Sequence, residues 1–179
     1  MAMTLLQTNE LSSSASSEFT SDIDNTYKLY IFKLIAIHPS ADNAHVFFQV
    51  NASGESGYNE PSIATSFNSY HSEADATALG YDAGWDQTNT ITGTGNHLLI
   101  KIGNDNDQTG SGELLLFNPS STVYCTHWQF RGASHAGVDA SYDNFQAGYF
   151  GTTAAITEVQ FIASTGNLDA GTIKMYGVG

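Results

Sequence analysis

Positively charged residues are scarce in this sequence of 179 residues. Lys and Arg together number 5 against 18 Asp and Glu, so the formal net charge is -13. Such a chain repels the phosphates of nucleic acids and anionic lipid surfaces wherever salt does not screen the charge. The composition therefore predicts neither a nucleic-acid partner nor a membrane partner.

Cysteine is almost absent as well, since Cys125 is the only one. A single cysteine cannot form an internal disulfide, so we do not expect oxidation to hold the fold together. The first residues lack the basic region and long apolar core of a signal peptide, and no run approaches the ~18 apolar residues of a membrane span. We expect synthesis and folding in a cytoplasm.

Helical periodicity is also missing. From Phe19 onward, short apolar or alternating runs are separated by Gly, Asn, Asp, Ser and Pro. Because predicted helices do not alternate with the strands, this pattern predicts an all-β protein, an antiparallel β-sandwich of the jelly-roll type with about 8-10 strands. The best helical stretch is residues 72–80. The predicted strands are residues 27–37, 44–51, 97–102, 113–118, 123–131, 145–150, 156–163 and 172–176, with weaker candidates at 17–22 and 62–69.

The beginning of the chain differs in composition from the rest. Residues 1–17 are rich in Ser and poor in bulky apolar side chains after Leu11. This predicts an extended N-terminal arm over residues 1–17 and a single sandwich domain over residues 18–179. Leu5, Leu6 and Leu11 are the side chains that would anchor the arm to a neighbouring molecule. The alternative is a disordered N-terminus.

The predicted strand over residues 27–37 is apolar on both faces except at Lys28 and Lys33. One face would pack inside the sandwich. The other would contact a second subunit or lie beneath the long connection at about residues 54–96, and both alternatives stay open.

Catalytic motifs are weak. Ser134 and His135 are adjacent, and adjacent side chains on an extended chain point to opposite faces, so a serine hydrolase is disfavoured. Cys125 and His127 would share a face, but no second cysteine and no closely spaced histidine pair accompanies them. We predict a non-enzymatic protein with no catalytic residues, no cofactor and no built metal site.

The segment "GNDNDQTGSGE" contains the one calcium-like spacing. Asp105 and Asp107 would fit the first positions of an EF-hand loop, but the position that requires Glu falls on Leu116. We predict a turn between two strands, and a single surface calcium ion at Asp105 and Asp107 stays open.

One constellation could bind a ligand. In "GYDAGWDQTN", Tyr81 and Trp85 could stack on a sugar ring while Asp82, Asp86 and Asn89 bind its hydroxyls. The alternative, which we favour, is that the two aromatic side chains pin this loop onto the sandwich.

Three further stretches carry a resemblance to a known family. They are "TLLQTNELSSSASSEFTSDIDNTYKLYIFKLIAIHPSADNAHVFFQV", "GELLLFNPSS" and "TEVQFIASTGNLDAGTIKMYGVG". Their order and spacing resemble a family of bacteriophage virion proteins, common in phages of marine bacteria, which have a β-jelly-roll fold. The match is poorest over about 40 residues around the long connection.

The resemblance implies a structural role, as a capsid decoration (cement) protein or a tail or fibre subunit. The expected location is the virion, after synthesis in the cytoplasm of the bacterial host. The expected partners are further copies of the chain in a homo-oligomer, with a trimer as the expected form, and other virion proteins of the capsid or tail. The alternative function is a carbohydrate-binding, lectin-like adhesion module that uses the 81–89 loop to bind a host surface glycan.

Overall fold

A computed structural model describes residues 2–89 and 95–179. This part of the chain forms strands and one turn of 3-10 helix at Ala83–Trp85. No helix among these residues has the length and hydropathy needed to cross a membrane. The strands are β1 Met3–Ser14, β2 Ser16–Phe19, β3 Leu29–Pro39, β4 Val46–Ala52, β5 Ser62–Ser72, β6 Thr77–Tyr81, β7 Gln87–Thr88, β8 Asn96–His97, β9 Gly110–Phe117, β10 His127–Ala136, β11 Ala140–Phe150, β12 Ile156–Ala163 and β13 Leu168–Val178.

The strands form two antiparallel sheets packed as a sandwich. The larger sheet has the order β1-β13-β3-β9-β10-β11-β5-β6, and β7 also pairs with β5. The smaller sheet has the order β2-β12-β4-β8. The prediction of an all-β antiparallel sandwich is confirmed, and the jelly-roll type stays a prediction.

The core lies between the sheets and is rich in aromatic rings. Phe19, Phe32 and Phe161 are fully buried and come from β2, β3 and β12. The ring centroids of Phe19 and Phe32 are 5.3 Å apart at 74°, and those of Phe19 and Phe161 are 6.0 Å apart at 85°. Edge-to-face pairs of this kind add about 0.5–1.5 kcal/mol each beyond the burial of their area. This cluster therefore joins the two sheets.

Glycine makes room for one of the core rings. Gly112 on β9 and Gly132 on β10 lie directly opposite each other. A Cβ atom at either position would lie 2.5 Å from Cζ of Phe130. The two glycines thus let the Phe130 ring lie flat on the backbone of the larger sheet, a close approach that any side chain would prevent.

Most predicted strands are present, with shifted boundaries. The exception is residues 97–102, of which only the first belongs to β8, while Ile102 makes isolated bridges to Ala44 and Ala136. The helical alternative over residues 72–80 is wrong. The Ser72 hydroxyl accepts a hydrogen bond from the Ala76 N–H at 3.1 Å, which closes a turn between β5 and β6. Pairing with β5 overrides the local helical preference.

The predicted N-terminal arm is a strand of the larger sheet. β1 pairs with β13 from Met3 opposite Val178 to Ser14 opposite Leu168. Leu11 is buried and Leu6 packs against the core, whereas Leu5 remains 50% exposed. The structure therefore corrects the expectation that residues 1–17 project from the domain and use all three leucines on a neighbour.

Side-chain amides explain why this polar strand is held in place. The Gln7 amide donates to the Ser21 carbonyl at 3.0 Å and to the Asp22 carboxylate at 2.8 Å. The Asn9 amide donates to the Ser17 hydroxyl at 3.0 Å. These bonds link β1 to the chain that follows it, and the ladder with β13 satisfies the backbone. The hydrophobicity of β1 predicts neither these side-chain hydrogen bonds nor the backbone ladder with β13.

Candidate functional site

The larger sheet packs one face on the core, and no layer formed by residues 2–89 or 95–179 covers its other face. We call this other face the outer face. Side chains that point outward along it include Leu5, Ile35, Ile63 and Phe67, which are 38–50% exposed. Because the strands are in register, the outward side chains line up in rows that run across the sheet.

Three rows define the outer face. The first row is Lys174, Lys33, Glu113, Arg131, Phe145, Phe67 and Tyr81. The second row is Leu5, Tyr176, Ile31, Leu115, Gln129, Ala147 and Thr65. The third row is Met3, Val178, Leu29, Phe117, His127, Tyr149 and Ile63.

Contacts within the first row hold its side chains in place. Arg131 donates from Nε and Nη2 to the two carboxylate oxygens of Asp143 at 3.3 and 3.0 Å, and this pairing raises the pKa of Arg131. The same guanidinium lies 4.7 Å from the ring centroid of Phe145. The Phe145 ring is parallel to that of Phe67, with centroids 4.7 Å apart and planes at 2°. These side chains are ordered before any partner arrives, which lowers the entropy cost of binding.

Cations are concentrated on this face. Three of the five cations of the chain, Lys33, Arg131 and Lys174, belong to the first row. Lys33 pairs with Glu113, with Nζ 3.3 Å from Oε2. The outer face is thus close to charge balance, whereas the remainder of the chain carries most of the negative charge.

Two adjoining hollows lie over β10, β11 and β5. Their volumes are about 310 Å³ and about 500 Å³. Thr65, Gln129 and Ala147 line both of them, and Phe67 and Phe145 stand at the rim of the smaller one. The hollows exist because the second row has small side chains on this half of the sheet, while Ile31 and Tyr176 fill the other half.

A hydrogen bond joins two of the predicted glycan residues, Tyr81 and Asp86. Tyr81 ends β6, is 65% exposed, and donates its hydroxyl to the Asp86 carboxylate. Asp86 also accepts the Ser66 N–H at 3.0 Å, and Asp82 accepts the Gly84 N–H at 3.2 Å at the start of the 3-10 turn. Asn89 is exposed, with a φ of 61°. Both carboxylates therefore already have partners close to their own loop.

Trp85 is packed against the sandwich. Its ring stacks on His97, with centroids 5.7 Å apart at 21°, and meets the edge of His45 at 5.6 Å. It also packs against a small buried cluster that contains Ile100 and Tyr142. Trp85 anchors the 82–89 loop, and a sugar contact by Tyr81 and Trp85 together stays a prediction.

Replacing this anchor should release the loop. We expect Trp85→Ala to lower the free energy of unfolding by about 2 kcal/mol, because the ring loses its partly buried packing. The substitution should also make the 82–89 segment sensitive to a protease at neutral pH. Tyr81→Ala is the matched control, since Tyr81 is mostly exposed and its loss should change unfolding far less. Equal protection of the loop in the wild type and in Trp85→Ala would contradict the anchoring role.

The two histidines beside Trp85 predict a dependence of stability on pH. Burial, followed by the nearby His45, lowers the pKa of His97 to about 4, and burial, followed by Lys101, lowers the pKa of His45 despite an opposing effect of Asp82. The unfolded chain has His pKa values near 6.5, so the native state binds fewer protons. Stability is therefore complete above about pH 6.5 and falls as the pH drops towards about 4.

We expect His97 to account for up to about 3 kcal/mol of this loss. Urea unfolding at pH 7, 5.5 and 4.5 measures it, and His97→Gln should show a shallower decline over the same range. A variant with the same pH slope as the wild type would show that His97 does not titrate in this way.

The remaining sequence candidates do not assemble into a reactive site. Ser134 is buried and donates its hydroxyl to the Ile100 carbonyl at 2.6 Å, while His135 points to the opposite face of β10. Cys125 is a free, half-buried thiol. His127 is exposed beside Tyr149 on the outer face.

The calcium-like segment forms a turn before β9. The Gln108 N–H donates to the Asp105 carbonyl at 2.9 Å, and the Asp105 N–H donates to the Gln108 side chain at 3.2 Å. Across the described ranges 2–89 and 95–179, no three His, Cys, Asp or Glu side chains are grouped to hold a metal ion. A calcium ion at Asp105 and Asp107 therefore has no support from a grouping of ligands.

The first row was missed by sequence reasoning because its members come from seven strands. The local signal pointed the other way, because alternation groups Phe145 with Ala147 and Tyr149 as the more apolar face of β11, the face expected to pack inward. The outward position of the Phe145 and Phe67 rings is visible only once the register of the sheet is known.

No protein-family model matches the chain, and no curated protein matches its sequence.

Proposed function

We propose that this chain is a non-enzymatic structural subunit of a bacteriophage virion, a capsid decoration (cement) or fibre protein. It associates with itself in a homo-oligomer and attaches to capsid or tail proteins after synthesis in the host cytoplasm. The observation that supports this best is the outer face of the larger sheet, which carries three rows of ordered side chains without a covering layer among the described residues.

The apolar side chains of this face are the physical argument. Soluble monomers rarely expose a contiguous apolar patch larger than a few hundred Å² (about 300–600 Å² is the typical maximum). The second row places Leu5, Tyr176, Ile31 and Leu115 side by side across β1, β13, β3 and β9. A protein that works within an assembly covers such a face, and a freely diffusing one would expose it to water.

A second feature supports attachment to a larger particle. β1 is a 12-residue edge strand with neither Pro nor Lys, whereas β6 at the other edge of the sheet has 5 residues. Long unprotected edges are templates for a further strand. A virion protein could add such a strand to β1. The N-terminal residues would then attach the chain through the edge of the sheet and not as a free arm.

Immunogold labelling of purified phage particles with an antibody to this chain tests the proposal. Label at regular positions on the capsid would identify a decoration protein, and label along the tail would identify a fibre subunit. Particles of the phage that encodes the chain should carry label, and unlabelled particles from cells that express the chain would overturn the proposal.

Carbohydrate binding is the alternative proposal, and the exposure of Tyr81 is the observation that favours it. A glycan array probed with the wild type and Tyr81→Ala tests it. Signal that Tyr81→Ala abolishes, with the same unfolding transition as the wild type, would support an adhesion module. No signal in the wild type, with and without calcium, would overturn it.

A further inference from the structure

We propose that the outer face binds the same face of a second copy of this chain. The two copies are related by a twofold axis that lies in the plane of the interface, runs parallel to the strands and passes over the boundary between β9 and β10. The inference rests on the proposed function, because it names the partner of the surface that supports that function. The axis divides the strand order into two halves of four, β1-β13-β3-β9 and β10-β11-β5-β6. In the dimer, β9 faces β10, β3 faces β11 and β13 faces β5 of the second copy.

The first row is complementary to itself about this axis. A rotation about an axis parallel to the strands keeps every row opposite the same row. Glu113 then faces Arg131 of the second copy, and the twofold axis produces this contact twice. Lys33 faces Phe145 and Lys174 faces Phe67 of the second copy, which puts the cationic half of the row over the aromatic half.

The second row is complementary in size. Its large members Tyr176 and Ile31 lie on one side of the axis, and its small members Thr65 and Ala147 lie on the other. The rotation places Tyr176 over Thr65 and Ile31 over Ala147 of the second copy. The hollow of about 310 Å³ lies over Thr65 and Ala147, so it can receive these two larger side chains. Shape complementarity of this kind gives an interface the packing density of a core.

The charge of the chain selects the same face. Two copies that each carry a formal charge of -13 repel each other in most orientations. The repulsion is weakest where both present Lys33, Arg131 and Lys174, and the bidentate Arg131–Asp143 pair shows that the central cation of the row is already ordered. A polyanionic partner such as nucleic acid would be repelled by the acidic remainder of the surface.

A charge-swap experiment tests the twofold contact. In Arg131→Glu, both copies of the contact become Glu opposite Glu, and in Glu113→Arg both become Arg opposite Arg. We expect each variant to sediment as a monomer at concentrations where the wild type is a dimer, with the dissociation constant raised at least about 100-fold. An equimolar mixture of the two variants should form a dimer again, because both contacts of the heterodimer then join a Glu of one variant to an Arg of the other.

The controls separate the interface from the fold. Asp107→Lys changes the charge at an exposed position on the turn before β9, away from the rows, and should remain dimeric. Ala147→Trp fills the hollow and should prevent dimerisation, with a circular dichroism spectrum like that of the wild type. Recovery of the dimer on mixing itself requires that both charge variants are folded.

Several outcomes would overturn the contact. They are a wild-type monomer at about 100 μM, a wild-type trimer, single variants that remain dimers, or a mixture that remains monomeric. Failure here is distinct from failure of the proposed function. Gold label on particles together with a monomeric protein in solution would keep the virion role and reject this contact, and a dimer without label would do the reverse.

Discussion

Deleting residues 170–179 is expected to leave a chain that does not fold. These residues form most of β13, which lies between β1 and β3 in the larger sheet. Ile173 and Met175 have no exposed surface and belong to the core. The deletion removes the hydrogen-bonding partner of two strands and opens one end of the sandwich core to water.

The magnitudes decide the outcome. Removal of a buried Ile or Met side chain costs about 2–5 kcal/mol each, before the lost ladder is counted. A domain of this size is stable by about 5–15 kcal/mol in total. The expected loss is therefore comparable to the total free energy of unfolding or larger than it. The truncated chain should show neither a cooperative melting transition nor dispersed NMR signals.

A smaller change in the same strand provides the control. Ile173→Val removes one buried methylene and should lower the free energy of unfolding by about 0.5–1.5 kcal/mol with the transition intact. A truncated chain that still unfolds cooperatively, with a urea dependence like that of the wild type, would show that β13 is dispensable to the core.

The sequence was sufficient to predict β13 and β3 because each buries alternate apolar side chains. Their positions beside each other, with β1 on the far side of β13, depend on pairing between distant segments that periodicity does not encode. β1 was missed as a strand because its stability comes from a ladder and from the amides of Gln7 and Asn9 rather than from an apolar face. Strand content was thus predictable from local pattern, and strand order was not.

The candidate site illustrates the same distinction. Tyr81 and Trp85 are neighbours in sequence, yet Trp85 stacks on His97 and Tyr81 joins the end of the first row. The partner of each ring comes from a different strand, and proximity along the chain indicated neither partner. The outer face could be expected only at β3, where both faces of the predicted strand are apolar; the other six strands that complete the first row became visible only with the register.

Replacing Trp128 with Ala should strongly destabilise the sandwich without abolishing its fold. Trp128 on β10 is 1% exposed, and its ring meets Phe48 of the smaller sheet edge-on with centroids 4.9 Å apart at 82°. Trp128→Ala removes this contact between the sheets and leaves a cavity. We expect a loss of about 3–5 kcal/mol in the free energy of unfolding, measured by urea denaturation.

The matched variant Trp128→Phe separates packing from polarity. The indole Nε1 of Trp128 is buried and has no hydrogen-bond partner among the described residues. An unpaired buried donor costs about 1–3 kcal/mol, so its removal offsets part of the volume lost in the smaller ring. We expect Trp128→Phe to cost less than about 1.5 kcal/mol. A Phe variant as unstable as the Ala variant would contradict this offset, because it would show that the whole indole, and not only a ring of sufficient bulk, is needed to join the two sheets.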